Sequence, residues 1–181
     1  MTVIVGYHCN DEIHLGCDTE ALFGTVRYPK CNDKIYEHGR WVIGMAGYLR
    51  HSSIVISNCE VIFDPPGDAC DIATRIREAI EEDAGEIEAG DSVKGVDFEA
   101  MLVDCQNLKL YLIDGSFGVQ EIVPGTYFAA GTGAPVAVGA MVSMIAYCDT
   151  SDPRKMIKVA VEACIEHAQG CGGRAQVFSY C

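Results

Sequence analysis

The sequence predicts an α+β protein: two antiparallel sheets packed face to face, with helices outside them. Three observations carry this. Strand-like segments come in two runs. Each run is followed by two helix-like segments. Short turn dipeptides join neighbouring strands, and no strand–helix–strand alternation calls for a parallel sheet. No linker-like segment interrupts the chain, so residues 1–181 read as a single domain.

The first run opens at the N-terminus. Residues 2–9 (TVIVGYHC) and 13–18 (IHLGCD) read as strands joined by the Asn10-Asp11 turn. Thr19–Asn32 reads as a loop with short extended pieces. Lys34–Tyr36 and Arg40–Ala46 are strand-like and turn at His38-Gly39. Tyr48–Phe63 reads as helix despite its β-branched content, and Asp64-Pro65-Pro66-Gly67 ends it. In Asp68–Glu82, Ile72, Ile76 and Ile80 recur every four residues between charged side chains, which defines an amphipathic helix. Ala84–Val96 is acidic and reads as a surface loop.

The second run follows. Phe98–Cys105 and Lys109–Ile113 read as a hairpin turning at Gln106-Asn107. Gly118–Val123 and Thr126–Ala130 are short strands around Pro124-Gly125. Ala134–Tyr147 is apolar nearly all round and is expected to be buried on both sides, with Pro135 at its first position. Asp152-Pro153 opens a helix to about Gln169, and Ala175–Tyr180 is a last strand.

Composition narrows the function. Apolar residues are 49% of the chain, enough for a core. Thirteen Lys and Arg against 26 acids leave a net charge of −13, which argues against a nucleic-acid partner on electrostatic grounds. No apolar run reaches membrane-spanning length, and no basic leader precedes the first strand, so the expected compartment is the cytoplasm. None of the ten cysteines forms a C-x-x-C pair, and no two histidines pair at helical spacing. No metal site and no cofactor are expected, and most cysteines should be reduced and buried as small hydrophobes.

The chemistry centres on Thr2. Read blandly, it is the first residue of a strand. If Met1 is removed, its free α-amine stands beside its own hydroxyl, a nucleophile and a base in one residue. Such an amine titrates at about 7.7–8.0, close to ideal for a base at neutral pH. A nearby ammonium lowers it further. The candidate cations in this part of the chain are Arg27, Lys30, Lys34 and Arg40, of which Lys34 opens a strand. Asp18, at the end of the second strand, can pair with it. Gly47, at a strand-to-helix corner, can offer its N–H to an oxyanion. Taken alone, Asp18 and Lys34 read as an ordinary surface pair, and Gly47 as a turn. Gly131-Thr132-Gly133 lacks the lysine and spacing of a phosphate loop. A Cys–His hydrolase is a weaker alternative.

Thr2, Asp18, Lys34 and the GMAG of 44–47, in this order and spacing, resemble the catalytic β-type subunits of proteasomes and the bacterial proteasome-like peptidases. AAGTGAPVAVGAM (129–141) resembles the family's Gly-Ser-Gly before a helix, and GCGG (170–173) its Ser-Gly-Gly before a late strand. The resemblance spans nearly the whole chain. It implies an N-terminal-nucleophile (Ntn) hydrolase, a four-layer αββα sandwich, and a threonine-type peptidase or amidohydrolase acting through an acyl-enzyme. It further implies Thr2 as nucleophile, its amine as base, Lys34 tuning it, Asp18 orienting Lys34 and Gly47 holding the oxyanion. Thr132 stands at a supporting serine, and Met45 at the base of the pocket for the substrate side chain. Peptide or protein substrates, a homo-oligomeric ring and an ATPase unfoldase partner are implied by the family alone. The chain departs at Cys171, where the family has serine, and at Ala168, where many members have aspartate. These departures motivate two alternatives: a non-catalytic proteasome-like structural subunit, and a small-substrate amidase that uses no ATPase.

Overall fold

The computed structural model describes residues 2–23, 26–28, 34–85, 97–148 and 152–181. Strand β1 (Ile4–Cys9) pairs with β2 (Glu12–Asp18) through a turn in which Asn10 takes positive φ. A short ribbon of Ala21–Phe23 (β3) and Val26–Tyr28 (β4) follows. Then come β5 (Ile35–His38), β6 (Trp41–Gly47) and helices α1 (Leu49–Ser57), α2 (Cys59–Phe63) and α3 (Ala69–Gly85). The second half holds β7 (Phe98–Asp104), β8 (Lys109–Ile113), β9 (Val119–Ile122) and β10 (Thr126–Ala130). Helices α4 (Ala134–Tyr147) and α5 (Pro153–His167) and the last strand β11 (Ala175–Tyr180) complete it.

The strands form two main antiparallel sheets, ordered β10-β1-β2-β11 and β5-β6-β7-β8-β9. Their inner faces meet in a core that includes Ile4, Leu15, Val42, Met101 and Leu110. Side chains alternate along a strand, so the neighbours of these residues face outward. Val3 and Val5 pack with Met141, Ile157 and Val161 under α4 and α5. Ile43 and Leu102 pack with Ile72, Ile76 and Ile80 under α1–α3. β1 and β6 are therefore covered on both faces, which is why they read as nearly continuous apolar runs. The result is α–β–β–α.

The structure departs from the sequence expectations in five places. Tyr48–Phe63 is two helices broken at Asn58, so the first strand run is followed by three helices. The amphipathic helix extends to Gly85; residues 86–96 of the expected acidic loop lie outside the described residues. Pro135 is the second helical residue, since Gly133 is the cap. The largest difference is α4. It is buried only along Ala137, Met141 and Met144, while Val142, Ile145 and Tyr147 are 48%, 50% and 88% exposed. One sheet and one neighbouring helix cannot cover a helix that is apolar all round. The cysteines also differ: of the nine among the described residues, only Cys17, Cys164 and Cys171 are buried.

Candidate active site

Thr2 lies just before β1, almost wholly buried at 4% exposure. Antiparallel pairing sets Ile4 opposite Cys17, so the end of β2 comes level with the start of the chain. Asp18 has no exposure at all. A carboxylate so placed must be matched by donors, and four converge on it. Its Oδ1 accepts from the Val3 N–H at 3.0 Å, from Thr2 Oγ1 at 3.3 Å and from Lys34 Nζ at 2.7 Å. Its Oδ2 accepts from the Gly172 N–H at 3.0 Å.

Lys34 reaches this point from the residue before β5. Its carbonyl accepts the Met45 N–H at 2.9 Å, which ties it to β6. Its side chain is 12% exposed, so the pair with Asp18 is largely shielded from water. Arg40, another candidate cation, stands elsewhere: it stacks 4.5 Å over Trp41 and donates to the Gly67 carbonyl. Lys30 and the Arg27 side chain lie outside the described residues.

Thr132 comes from the turn between β10 and α4. Its Oγ1 accepts the Thr2 N–H at 3.3 Å and donates to the Thr2 carbonyl at 3.4 Å. The Gly133 N–H donates to the same carbonyl at 3.2 Å. Gly131 has φ +87°, and a Cβ there would overlap the Thr2 carbonyl oxygen, so only glycine fits. Gly47 is equally constrained: its φ is +115°, and a Cβ there would overlap the Asp97 carbonyl oxygen. It turns β6 into α1 at the mouth of a cleft of about 210 Å³. Thr2, Lys34, Met45 and Gly47 all line this cleft, together with Tyr48 and Leu49.

Cys171 lies beneath, 1% exposed, with the Thr132 hydroxyl in hydrogen-bonding reach. Burial, aided by Asp18, pushes its thiol up to about 11, against the partial offset of Lys34 and Thr132. It is therefore a neutral thiol at pH 7. Ala168, at the end of α5, brings only a methyl group. The structure thus gathers Thr2, Asp18, Lys34, Thr132 and Cys171 into one connected cluster, with Gly47 and Met45 on the adjoining cleft. It also adds residues that sequence reasoning missed. Cys164 Sγ donates to the Gly133 carbonyl at 3.2 Å. Glu99 Oε2 accepts the Gly131 N–H at 2.7 Å. The available signal for Glu99 was an acid flanked by Phe98 and Ala100 near the start of β7, with nothing in the sequence to mark its partner. Among the described residues, no His, Cys, Asp and Glu cluster could hold a metal ion.

Two antiparallel sheets between helical layers, with a threonine at the head of an inner strand, form the Ntn-hydrolase fold of proteasomes. No family model and no curated protein matches the sequence. Solved structures share the fold. Thiobacillus denitrificans BPH, a bacterial proteasome-like protein, superposes with a TM-score of 0.80 at 18% identity, covering 98% of this chain and 96% of that one. BPH in complex with epoxomicin gives 0.78 at 17% identity, covering 98% and 97%. HslV from Trypanosoma brucei gives 0.68 at 17% identity, covering 98% of both chains.

Proposed function

We propose that the protein is a threonine-type peptidase of the proteasome-like class, with Thr2 as its nucleophile once Met1 is removed. The observation that carries this is the convergence of the Thr2 hydroxyl and the Lys34 ammonium on one buried Asp18 carboxylate beside a cleft. That arrangement fixes the hydroxyl and sets a positive charge next to it. The existence of an epoxomicin complex of the similar BPH supports the same reading.

In the proposed reaction the Thr2 amine, acting through a water, takes the Oγ1 proton as Oγ1 attacks a peptide carbonyl. The Lys34 charge disfavours protonation of the amine, which leaves it largely neutral at rest and free to accept that proton. The Gly47 N–H holds the oxyanion. The protonated Thr2 amine then gives that proton to the leaving amine as the scissile C–N bond breaks, and the acyl-threonine ester forms. Water, activated by the same amine, hydrolyses the ester and restores Thr2. Met45 in the cleft favours an apolar substrate side chain. Asp18 orients Lys34, while Thr132 and the neutral Cys171 support the Thr2 nitrogen.

A homo-oligomer in the cytoplasm, ring-shaped and served by an ATPase unfoldase, completes the reading. The uncovered apolar side of α4 supports self-association, and no helix among the described residues is long and apolar enough to cross a membrane. A non-catalytic subunit is the second reading, favoured by the methyl group of Ala168 where a carboxylate would strengthen the proton relay. A small-substrate amidase without an ATPase remains the third.

Intact-mass spectrometry with a peptide epoxyketone tests the proposal. The expected result is a chain lacking Met1 that gains one adduct on Thr2, lost in Thr2→Ala. Full retention of Met1, or no adduct, would sink the peptidase reading. An adduct that persists in Thr2→Ala would point to a cysteine.

A further inference from the structure

We infer that Glu99 is a positioning residue that locks the turn carrying Thr132 and thereby sets the Thr2 nitrogen for reaction. The inference rests on the threonine-nucleophile reading of the site.

Glu99 belongs to β7, opposite Ala46 of β6 and next to the Gly47–Phe98 pair. Gly131 follows β10, in the other sheet. The Glu99 carboxylate reaches across and accepts the Gly131 N–H at 2.7 Å. Gly131 leaves no room for a side chain: a Cβ there would overlap the Thr2 carbonyl oxygen and lie 3.1 Å from the Ala46 Cβ. The turn is thus wedged where the ends of both sheets meet.

Magnitudes decide what holds this turn. Thr132 contacts the Thr2 backbone through two long hydrogen bonds, 3.3 and 3.4 Å, and Gly133 through one of 3.2 Å. The two Thr132 contacts are at the long end for hydrogen bonds and hold less firmly than a short one. The bond to Glu99 is the shortest at the turn, and its acceptor is a carboxylate. Hydrogen bonds to an ionised acceptor are roughly twice as strong as neutral ones. The shortest hydrogen bond to the turn therefore comes from a residue that, among the described residues, makes no hydrogen bond to Thr2. The same side chain sits one residue from the strand pair that sets Gly47, so it couples the amine side of the site to the oxyanion side.

The test uses the full chain, a fluorogenic apolar peptide amide and a peptide epoxyketone. In Glu99→Ala, kcat and the rate of Thr2 labelling should fall by about 10- to 100-fold, the scale of a catalytic group displaced by about 1 Å. KM should stay within about twofold, because Glu99 is not assigned to substrate binding. Glu99→Gln, which keeps an acceptor, should recover kcat to within about threefold of wild type. Hydrogen exchange should show the Gly131 amide protected in wild type and Glu99→Gln and released in Glu99→Ala. If Glu99→Ala fails to fold, Glu99→Asp, whose shorter arm cannot reach the Gly131 N–H, takes its place with the same expected losses. Wild-type kcat in these variants, or a loss confined to KM, would overturn the assignment while Thr2 labelling of the wild type still upheld the threonine reading. A wild type that takes no label on Thr2 would overturn both.

Discussion

At Asp18 four donors converge on one carboxylate that water does not reach. Lys34 is the only one of the four that brings a full charge. Without it, two amides and a hydroxyl must stabilise a buried anion alone, and breaking a shielded ion pair in this way costs about 3–5 kcal/mol. Lys34→Ala is therefore expected to lower the unfolding free energy by about that amount, read by denaturant titration. Under the threonine reading it should also cut turnover by at least about 100-fold, because the base loses its tuning charge. An unchanged rate would remove Lys34 from the mechanism. Thr2, Asp18 and Lys34 were legible in the sequence through their order and spacing, which resemble those of proteasome subunits; strand-end positions alone would have left them ordinary. Glu99 was not legible, because its partner is 32 residues away and an acid in a strand ordinarily faces water. Cys164 was hidden by its composition-level role as a small apolar residue.

At the scale of elements, α5 and the stretch that leads into β11 bring two buried thiols under the Thr132 turn. Burial raises Cys164 to about 12 and Cys171 to about 11, from an ordinary thiol value of 9.0. Both keep their protons to higher pH in the folded chain than in the unfolded one. Their contribution is fully present below about pH 9 and is lost as pH climbs from there through 11 and 12. Melting temperature should accordingly fall more steeply above pH 9 in wild type than in a Cys164→Ala/Cys171→Ser chain. Parallel slopes would show that the two thiols do not titrate as buried groups. The elements themselves were largely legible from period and turn residues. Asp152 caps α5 as expected, accepting from the Arg154 and Lys155 N–H groups. The break at Asn58 was not, since the apolar pattern runs on through it.

Over the whole molecule, α4 is the outlier. It carries no charged side chain in a chain of net charge −13, yet one side faces solvent in the protomer. Two such sides can meet without like-charge repulsion, whereas much of the remaining surface repels its copy. Size-exclusion chromatography is expected to give an oligomer for wild type. A Val142→Glu/Ile145→Glu chain should shift toward monomer with its melting curve still cooperative. A monomeric wild type would count against any compartment built from copies of this chain.

By itself the sequence determined two antiparallel sheets with helices outside them, which follow from periodicity and turn residues and are local. Its resemblance to proteasome subunits singled out Thr2, Asp18 and Lys34 as candidates. Only the tertiary structure decided that four donors share Asp18, that Glu99 grips Gly131 and that α4 is covered on one side alone. An apolar residue carries its hydrophobicity wherever it sits. Whether it is buried, or a carboxylate is paired, depends on which distant segments the fold brings against it.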